Sequence, residues 1–335
     1  MKQQARQRPT LESLADGVLN GDRILLAQAI TLIESHRPDD EATAIALLEK
    51  VMPHTGNSLR IGITGTPGVG KSTFIESLGQ FILKNNKKVA VLSIDPTSPV
   101  GGGSILGDKT RMETLSKNRN AFIRPTASLD SLGGVAQRTR ESMLLAEAAG
   151  YDFIIIETVG VGQSEYSVKE MVDFFLLLML PGSGDDLQGM KKGIVELADA
   201  IAITKADGDN VNRARQAQAM YAQAIHTVYT GATNTPPVIL TSAVSGVGIE
   251  EVWTAISDAV ARTKLSGAFD QQRNRQYVAW LNDQFAALLK SDVWQYDQVR
   301  TAQSLLESEV TSKTKSPRKA ANELLAAYHR QIKGS

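Results

Sequence analysis

Nine consecutive residues, Gly65-Thr66-Pro67-Gly68-Val69-Gly70-Lys71-Ser72-Thr73, satisfy the spacing G-x-x-x-x-G-K-[ST]. Glycines at these positions let successive backbone N–H groups converge on a β-phosphate, and a helix starting at the end of the run adds the partial positive charge of its N-terminus. Lys71 can bridge β- and γ-oxygens, and the Ser72 hydroxyl is a hard oxygen donor suited to Mg²⁺. The chemistry implied is the holding of a nucleoside triphosphate. It requires a strand before the loop and a helix after it. Leu59 to Thr64 reads as a buried strand, and Ser72 to Leu83 has the apolar spacing of a helix.

A phosphate loop does not choose a base. Ala200-Ile201-Ala202-Ile203 is strand-like and ends in Thr204-Lys205-Ala206-Asp207, which resembles the [NT]-K-x-D element of guanine nucleotide-binding proteins. The Asp207 carboxylate can accept hydrogen bonds from guanine N1–H and the 2-amino group, whereas adenine lacks that amino group and offers an acceptor at N1. Lys205 would lay its aliphatic stem along the ring. Thr204 stands where Asn is commoner, without the amide that braces the base pocket. After the strand Val238-Ile239-Leu240, the run Thr241-Ser242-Ala243-Val244 matches the last guanine element, whose backbone N–H approaches the base oxygen.

The strand Phe153-Ile154-Ile155-Ile156 runs into Glu157-Thr158-Val159-Gly160, in the place of a D-x-x-G element that senses the γ-phosphate. A carboxylate here can hold the Mg²⁺ water shell and the Gly160 N–H can bond the γ-phosphate, so hydrolysis would release the loop that follows. Residues 160–172 are therefore a switch candidate. Val161-Gly162-Gln163 follows the glycine where a water-orienting Gln stands in Ras-like enzymes, which predicts slow unaided hydrolysis. Two roles fit Gln163: orienting water after a loop rearrangement, or facing solvent. Asp95 and Asp108 are further Mg²⁺ candidates; Asp95 before Pro96 also suits a turn cap, and Asp108 a helix cap. Gly101-Gly102-Gly103 between them suits a first switch. The Gly-rich, oppositely charged run 181–192, with Asp186, Gln188 and Lys191, suits a third.

These groups need a scaffold. From residue 58 to about 262, strand candidates at 59–64, 88–94, 153–156, 174–180, 200–204 and 238–241 alternate with helical stretches, which argues an α/β fold with a mainly parallel sheet flanked by helices. Residues 1–57 read as an N-terminal helical extension: Leu11 to Leu19, Arg23 to Glu34 and Glu41 to Met52, punctuated by Pro38-Asp39-Asp40 and Pro53. Residues 266–335 form a C-terminal helical arm with helices over 273–289, 298–309 and 317–332. Its aromatic residues Tyr277, Trp280, Phe285, Trp294 and Tyr296 suit internal core better than an interface.

Composition limits the partners. Among 335 residues, 36 Lys and Arg balance 36 Asp and Glu with no long basic run, so neither nucleic acid nor an anionic membrane is indicated. There is no cysteine and only four histidines, far apart, which speaks against a transition-metal site. The N-terminus lacks an apolar secretion core and the longest apolar run, 174–180, is too short to span a bilayer, so the cytoplasm is expected.

Taken in order, GTPGVGKST, SIDPTSP, GGSILGDKTRM, ETVGVGQSE, GDDLQGMKKG, TKAD and TSA resemble the MeaB/ArgK family of P-loop GTPases over almost the whole chain. The resemblance implies a P-loop NTPase fold of SIMIBI type, the dimeric nucleotide switches that include signal-recognition and nickel-insertion GTPases. It implies GTP/GDP and Mg²⁺ as cofactors, with Lys71, Ser72, Asp95, Asp108 and Glu157 in phosphate and magnesium roles and Asp207 reading guanine. It also implies a C-terminal dimerisation arm, hence a homodimer, and a third switch at 181–192 that communicates with a partner. That partner is an adenosylcobalamin-dependent methylmalonyl-CoA mutase or a related acyl-CoA mutase, whose cofactor loading the GTPase gates and which it protects or reactivates. Three other readings remain: an ATP-dependent kinase or ATPase linked to basic amino-acid transport, a nickel metallochaperone, and an adaptor that binds nucleotide without hydrolysing it.

Overall fold

The computed structural model describes residues 8–35, 37–96, 112–128, 132–158, 164–182, 192–229 and 235–333. The apolar runs Leu59–Gly65 (β1), Val89–Pro96 (β2), Ala121–Ser128 (β3), Phe153–Thr158 (β4), Phe174–Met179 (β5), Ala200–Ile203 (β6) and Val238–Leu240 (β7) form one sheet. Its seven strands lie in the order β3-β2-β4-β1-β5-β6-β7, and every pair is parallel. Parallel strands need crossovers and bury both faces, which is why β5 reads Phe-Phe-Leu-Leu-Leu-Met without a polar residue. All carboxyl ends share one edge, and β1 sits where the order reverses, the place where open α/β sheets bind ligands.

β3 is the strand that periodicity does not reveal. Its sequence AFIRPTAS carries Arg124 and Pro125, which break the apolar run; an edge strand tolerates both, because one side has no ladder partner. Pro38 likewise does not interrupt a helix but starts one: Pro38–Val51 (α3) has its proline at the first position, where no N–H is needed.

One face of the sheet is covered by Leu11–Leu19 (α1), Arg23–Ile33 (α2), α3, Leu132–Ala148 (α6) and residues just after Ser164–Lys169 (α7). Leu26, Ile30 and Leu47 pack there with Leu92, Ile154 and Ile156, so the N-terminal helices share a core with the strands. The other face carries Lys71–Lys84 (α4), Glu113–Lys117 (α5) and Ile249–Leu265 (α10); α4 buries Phe74, Ile75, Leu78 and Ile82 at three- and four-residue steps. Towards β7, Lys192–Leu197 (α8) and Val211–Val228 (α9) cover Leu177, Met179, Ile201 and Ile203.

At the amino ends of β1 and β5, opposite the phosphate loop, two Arg–carboxylate pairs close the core. Arg60 bonds both oxygens of Glu147 (2.7 and 3.1 Å), and Arg273 bonds both oxygens of Asp173 (2.8 and 2.7 Å). Asp173 also accepts from the Arg60 N–H at 2.8 Å, joining the pairs. Bidentate geometry with backbone partners offsets the desolvation of four charges.

Burial pushes the pKa of Glu141 on α6 up to about 7 from an ordinary 4.5, only partly opposed by Gln137 and Arg138. Between pH 4.5 and 7 the native state keeps this proton and the unfolded chain releases it, so stability falls as pH rises through that window. Glu141→Gln is expected to raise the melting temperature at pH 8 and narrow the gap between pH 5 and pH 8. Thermal melts at the two pH values would refute this if wild type and variant shift in parallel.

The chain divides into two compact units, Met1–Arg273 and Asn274–Ser335. The second comprises most of Ala268–Trp294 (α11), with Asp297–Thr311 (α12) and Pro317–Lys333 (α13). There Tyr296 meets Tyr328 edge-on at 5.8 Å, and Lys315 bridges Glu309 and Glu323, each at 2.6 Å. Phe285 departs from the expected core role. It is 61% exposed, because the heptad-spaced residues Val278, Leu281, Phe285 and Leu288 share an outward face of α11.

Candidate functional site

β1 delivers the chain to Gly65, residues 66–70 make the turn, and α4 begins at Lys71. Glycine is required at the first position by close approach: a Cβ on Gly65 would stand 2.5 Å from the Leu178 carbonyl oxygen of β5. Gly68 and Gly70 have φ of 78° and 93°, left-handed values that turn the loop back over the helix N-terminus. Val69 is buried beneath the loop, while Thr73 points outward.

The Lys71 ammonium folds back into this cradle, donating to the Gly65 carbonyl at 2.6 Å and lying 3.4 Å from that of Thr66. Burial lowers its pKa, and the carboxylates of Glu157 and Glu165 oppose the shift. Glu165, the last residue of the run ETVGVGQSE and in the first turn of α7, is fully buried, a neighbour of the site to which the sequence alone assigns no role.

Glu157 at the end of β4 is 3% exposed. The Ser72 hydroxyl lies 3.3 Å from its Oε1 and that of Ser93, on β2, 3.5 Å from its Oε2. Thr158 donates to Thr64 at 2.7 Å, tying the ends of β4 and β1 together. A hydroxyl and a carboxylate this close, beside a helix N-terminus, form a hard oxygen donor set. They fit Mg²⁺, which takes few protein oxygens and keeps waters. Among the described residues, no three His, Cys, Asp or Glu side chains cluster as a metal cage. Asp95 is placed by its backbone at the end of β2, on the same sheet edge. Asp108, Gly160, Gln163, Asp186, Gln188 and Lys191 lie outside the described residues.

The candidate base-reading elements follow β6 and β7. Thr204 donates to the Val69 carbonyl at 2.8 Å and lies 3.1 Å from that of Met179. Its hydroxyl thus bonds the phosphate loop itself. Lys205, at φ 55°, reaches across to the Gly68 carbonyl at 2.9 Å. Asp207 is half-buried and accepts a short hydrogen bond from the Ser242 hydroxyl, which itself accepts from the Ser245 N–H at 3.1 Å. Ser77 of α4 donates to the Ala243 carbonyl at 2.9 Å, and Val244 stands exposed beyond it. Phosphate loop and base loops are therefore stitched into one body by side chain to backbone bonds.

Comparison with known proteins agrees with this geometry. Residues 26–298 match the family described as Methylmalonyl Co-A mutase-associated GTPase MeaB. GTPase ArgK of Escherichia coli (strain K12) is 52% identical over 265 residues, 79% of this chain and 80% of that protein. The mitochondrial methylmalonic aciduria type A homolog of Mus musculus is 40% identical, covering 96% of this chain and 80% of that protein. A crystal structure of an LAO/AO transport system kinase superposes with a TM-score of 0.76 at 38% identity, covering 96% of this chain and 99% of that one. With the phosphate loop, the magnesium-suited pair and the guanine-type carboxylate in register, the chain belongs to the MeaB family of P-loop GTPases.

Proposed function

We propose that the protein is a GTP-hydrolysing switch that serves an adenosylcobalamin-dependent acyl-CoA mutase of the methylmalonyl-CoA type, gating its cofactor loading and protecting or reactivating it. The observation that carries the nucleotide half is the stitching of Thr204 and Lys205 onto the carbonyls of Val69 and Gly68. Through it, a base held at Asp207 and phosphates held at the loop are sensed by one rigid body. The partner half is supported by the family's description and by the mouse relative's name.

In this reading Lys71 neutralises β- and γ-oxygens, while Ser72 and Glu157 hold Mg²⁺, which supplies Lewis-acid charge to the phosphates when bound. Asp95 and Asp108 complete that shell, Gly160 reports the γ-phosphate, and the switch at 181–192, with Asp186, Gln188 and Lys191, communicates with the mutase. Hydrolysis is slow unaided. Purified mutase is expected to raise GTP turnover about tenfold or more and to bind the GTP form tighter than the GDP form; the preference of the complex for GTP over GDP must then rise by that same factor, since coupling between binding free energies is reciprocal. Unchanged turnover together with equal affinity for both nucleotide forms would overturn the reading.

The protein acts as a homodimer through the outward seam of α11, where Val278, Leu281, Phe285 and Leu288 are each 59–67% exposed. Apolar side chains at heptad spacing in water are the pattern two helices bury against each other. Sedimentation should give twice the chain mass for wild type and the single mass for Leu281→Glu; a monomeric wild type refutes it. The kinase in the superposed structure's description raises the ATP alternative. Equal affinities for ADP and GDP would favour that alternative. Among the described residues no helix is long and apolar enough to cross a membrane; a cytoplasmic site of action is part of the proposal.

A further inference from the structure

On the sheet face covered by α4, side chains recur with period two: Val89, Val91 and Ser93 of β2 stand beside Phe153, Ile155 and Glu157 of β4 in direct register. The first two pairs are apolar and belong to the core under α4. The third pair is a serine with 0% exposure opposite a carboxylate with 3%. A hydroxyl buried at the end of an apolar row is unfavourable unless it is bonded, so this position calls for a polar partner. That partner is Glu157 Oε2, at 3.5 Å, while Ser72 approaches Oε1 at 3.3 Å from the phosphate-loop side.

We propose that Ser93 is a positioning residue that holds the Glu157 carboxylate by Oε2 and so keeps Oε1 turned to Ser72. The physical need follows from residue type. A glutamate has one more rotatable bond than an aspartate and, at a strand end, sweeps a wider arc. A hydroxyl fixed on the neighbouring strand removes that freedom before any ligand arrives. This rests on the assignment of Ser72 and Glu157 as the magnesium-holding pair.

The test is a magnesium titration of the release rate of a fluorescent GDP analogue from the full-length protein. Ser93→Ala is expected to raise the Mg²⁺ midpoint about tenfold, the loss typical when a group supporting a metal ligand is removed. Ser93→Thr, which restores the hydroxyl, should stay within about twofold of wild type on the same basis. A role in folding alone would weaken GDP equally in EDTA; affinity there is expected to be unchanged. A Ser93→Ala midpoint equal to wild type, or an equal loss in EDTA, overturns the proposal. Glu157→Gln separates the levels: if it also leaves the midpoint unmoved, the magnesium assignment fails with it, whereas a shift for Glu157→Gln alone removes only Ser93.

Discussion

Lys71→Ala is expected to bind GTP about 10²–10³-fold more weakly and to release no measurable phosphate, the loss typical of deleting one preorganised charged donor. The Lys71 ammonium donates to the Gly65 carbonyl at 2.6 Å, within the loop that must wrap the phosphates. Burial lowers its pKa, so the ammonium is poorly solvated where it sits, and phosphate oxygens offer more than the water it has lost. The nearby carboxylates of Glu157 and Glu165 oppose that shift. GDP should suffer less than GTP, because the γ-oxygen contact is absent in it. Lys71→Arg is not expected to rescue, since a planar fork needs more room than a point charge among carbonyls. Calorimetric GTP and GDP titrations with a phosphate-release assay check this. An alanine variant binding GTP within about threefold of wild type would remove Lys71 from the phosphate site, far below the expected loss.

Asp207→Asn should exchange the base. Two hydrogen bonds from guanine to a charged acceptor contribute about 1.5–3 kcal/mol each, so losing them weakens GTP by roughly 10²–10⁴-fold. The Ser242 hydroxyl donates to Asp207 Oδ2, and in the variant it selects which way the amide lies. The amide oxygen accepts from Ser242 and the NH₂ turns toward the base, where xanthine presents a carbonyl and guanine presents donors. XTP affinity should therefore rise while GTP affinity falls, with melting temperature little changed because Asp207 is only half-buried. Competition of GTP, XTP and ATP for one fluorescent nucleotide reads all three. If the variant lost every nucleotide alike, Asp207 would be structural; if ATP rose instead of XTP, the guanine assignment would be wrong.

Much of the site could be read along the chain because its parts are contiguous. A phosphate loop is local: glycine spacing and a following Lys-Ser carry the geometry without reference to distant residues, and the structure puts them on β1 and α4. The same holds for Thr204 to Asp207, which β6 delivers to the ligand edge. Where two separate segments must meet, spacing is silent. Thr204 bonds the carbonyl of Val69, 135 positions away. Ser93 opens the run SIDPTSP and Glu165 closes ETVGVGQSE, yet neither run says what these two side chains approach; Glu165 is placed by α7 and Ser93 by the register of β2 on β4. The strand Ala121–Ser128 escaped because Arg124 and Pro125 imitate a loop, and only an edge position makes them compatible with pairing.

The amino-acid order alone determined a parallel α/β scaffold of P-loop GTPase type and singled out Asp207 as the candidate base-reading carboxylate, since each follows from residues within one turn or one strand, where backbone sterics and local hydrogen bonds act. Tertiary structure decided which hydroxyls flank Glu157, that Thr204 clasps the phosphate loop, and that Phe285 faces outward. These depend on strand order, register and helix rotation, which are set by burying apolar faces from opposite ends of the chain and have no local signature.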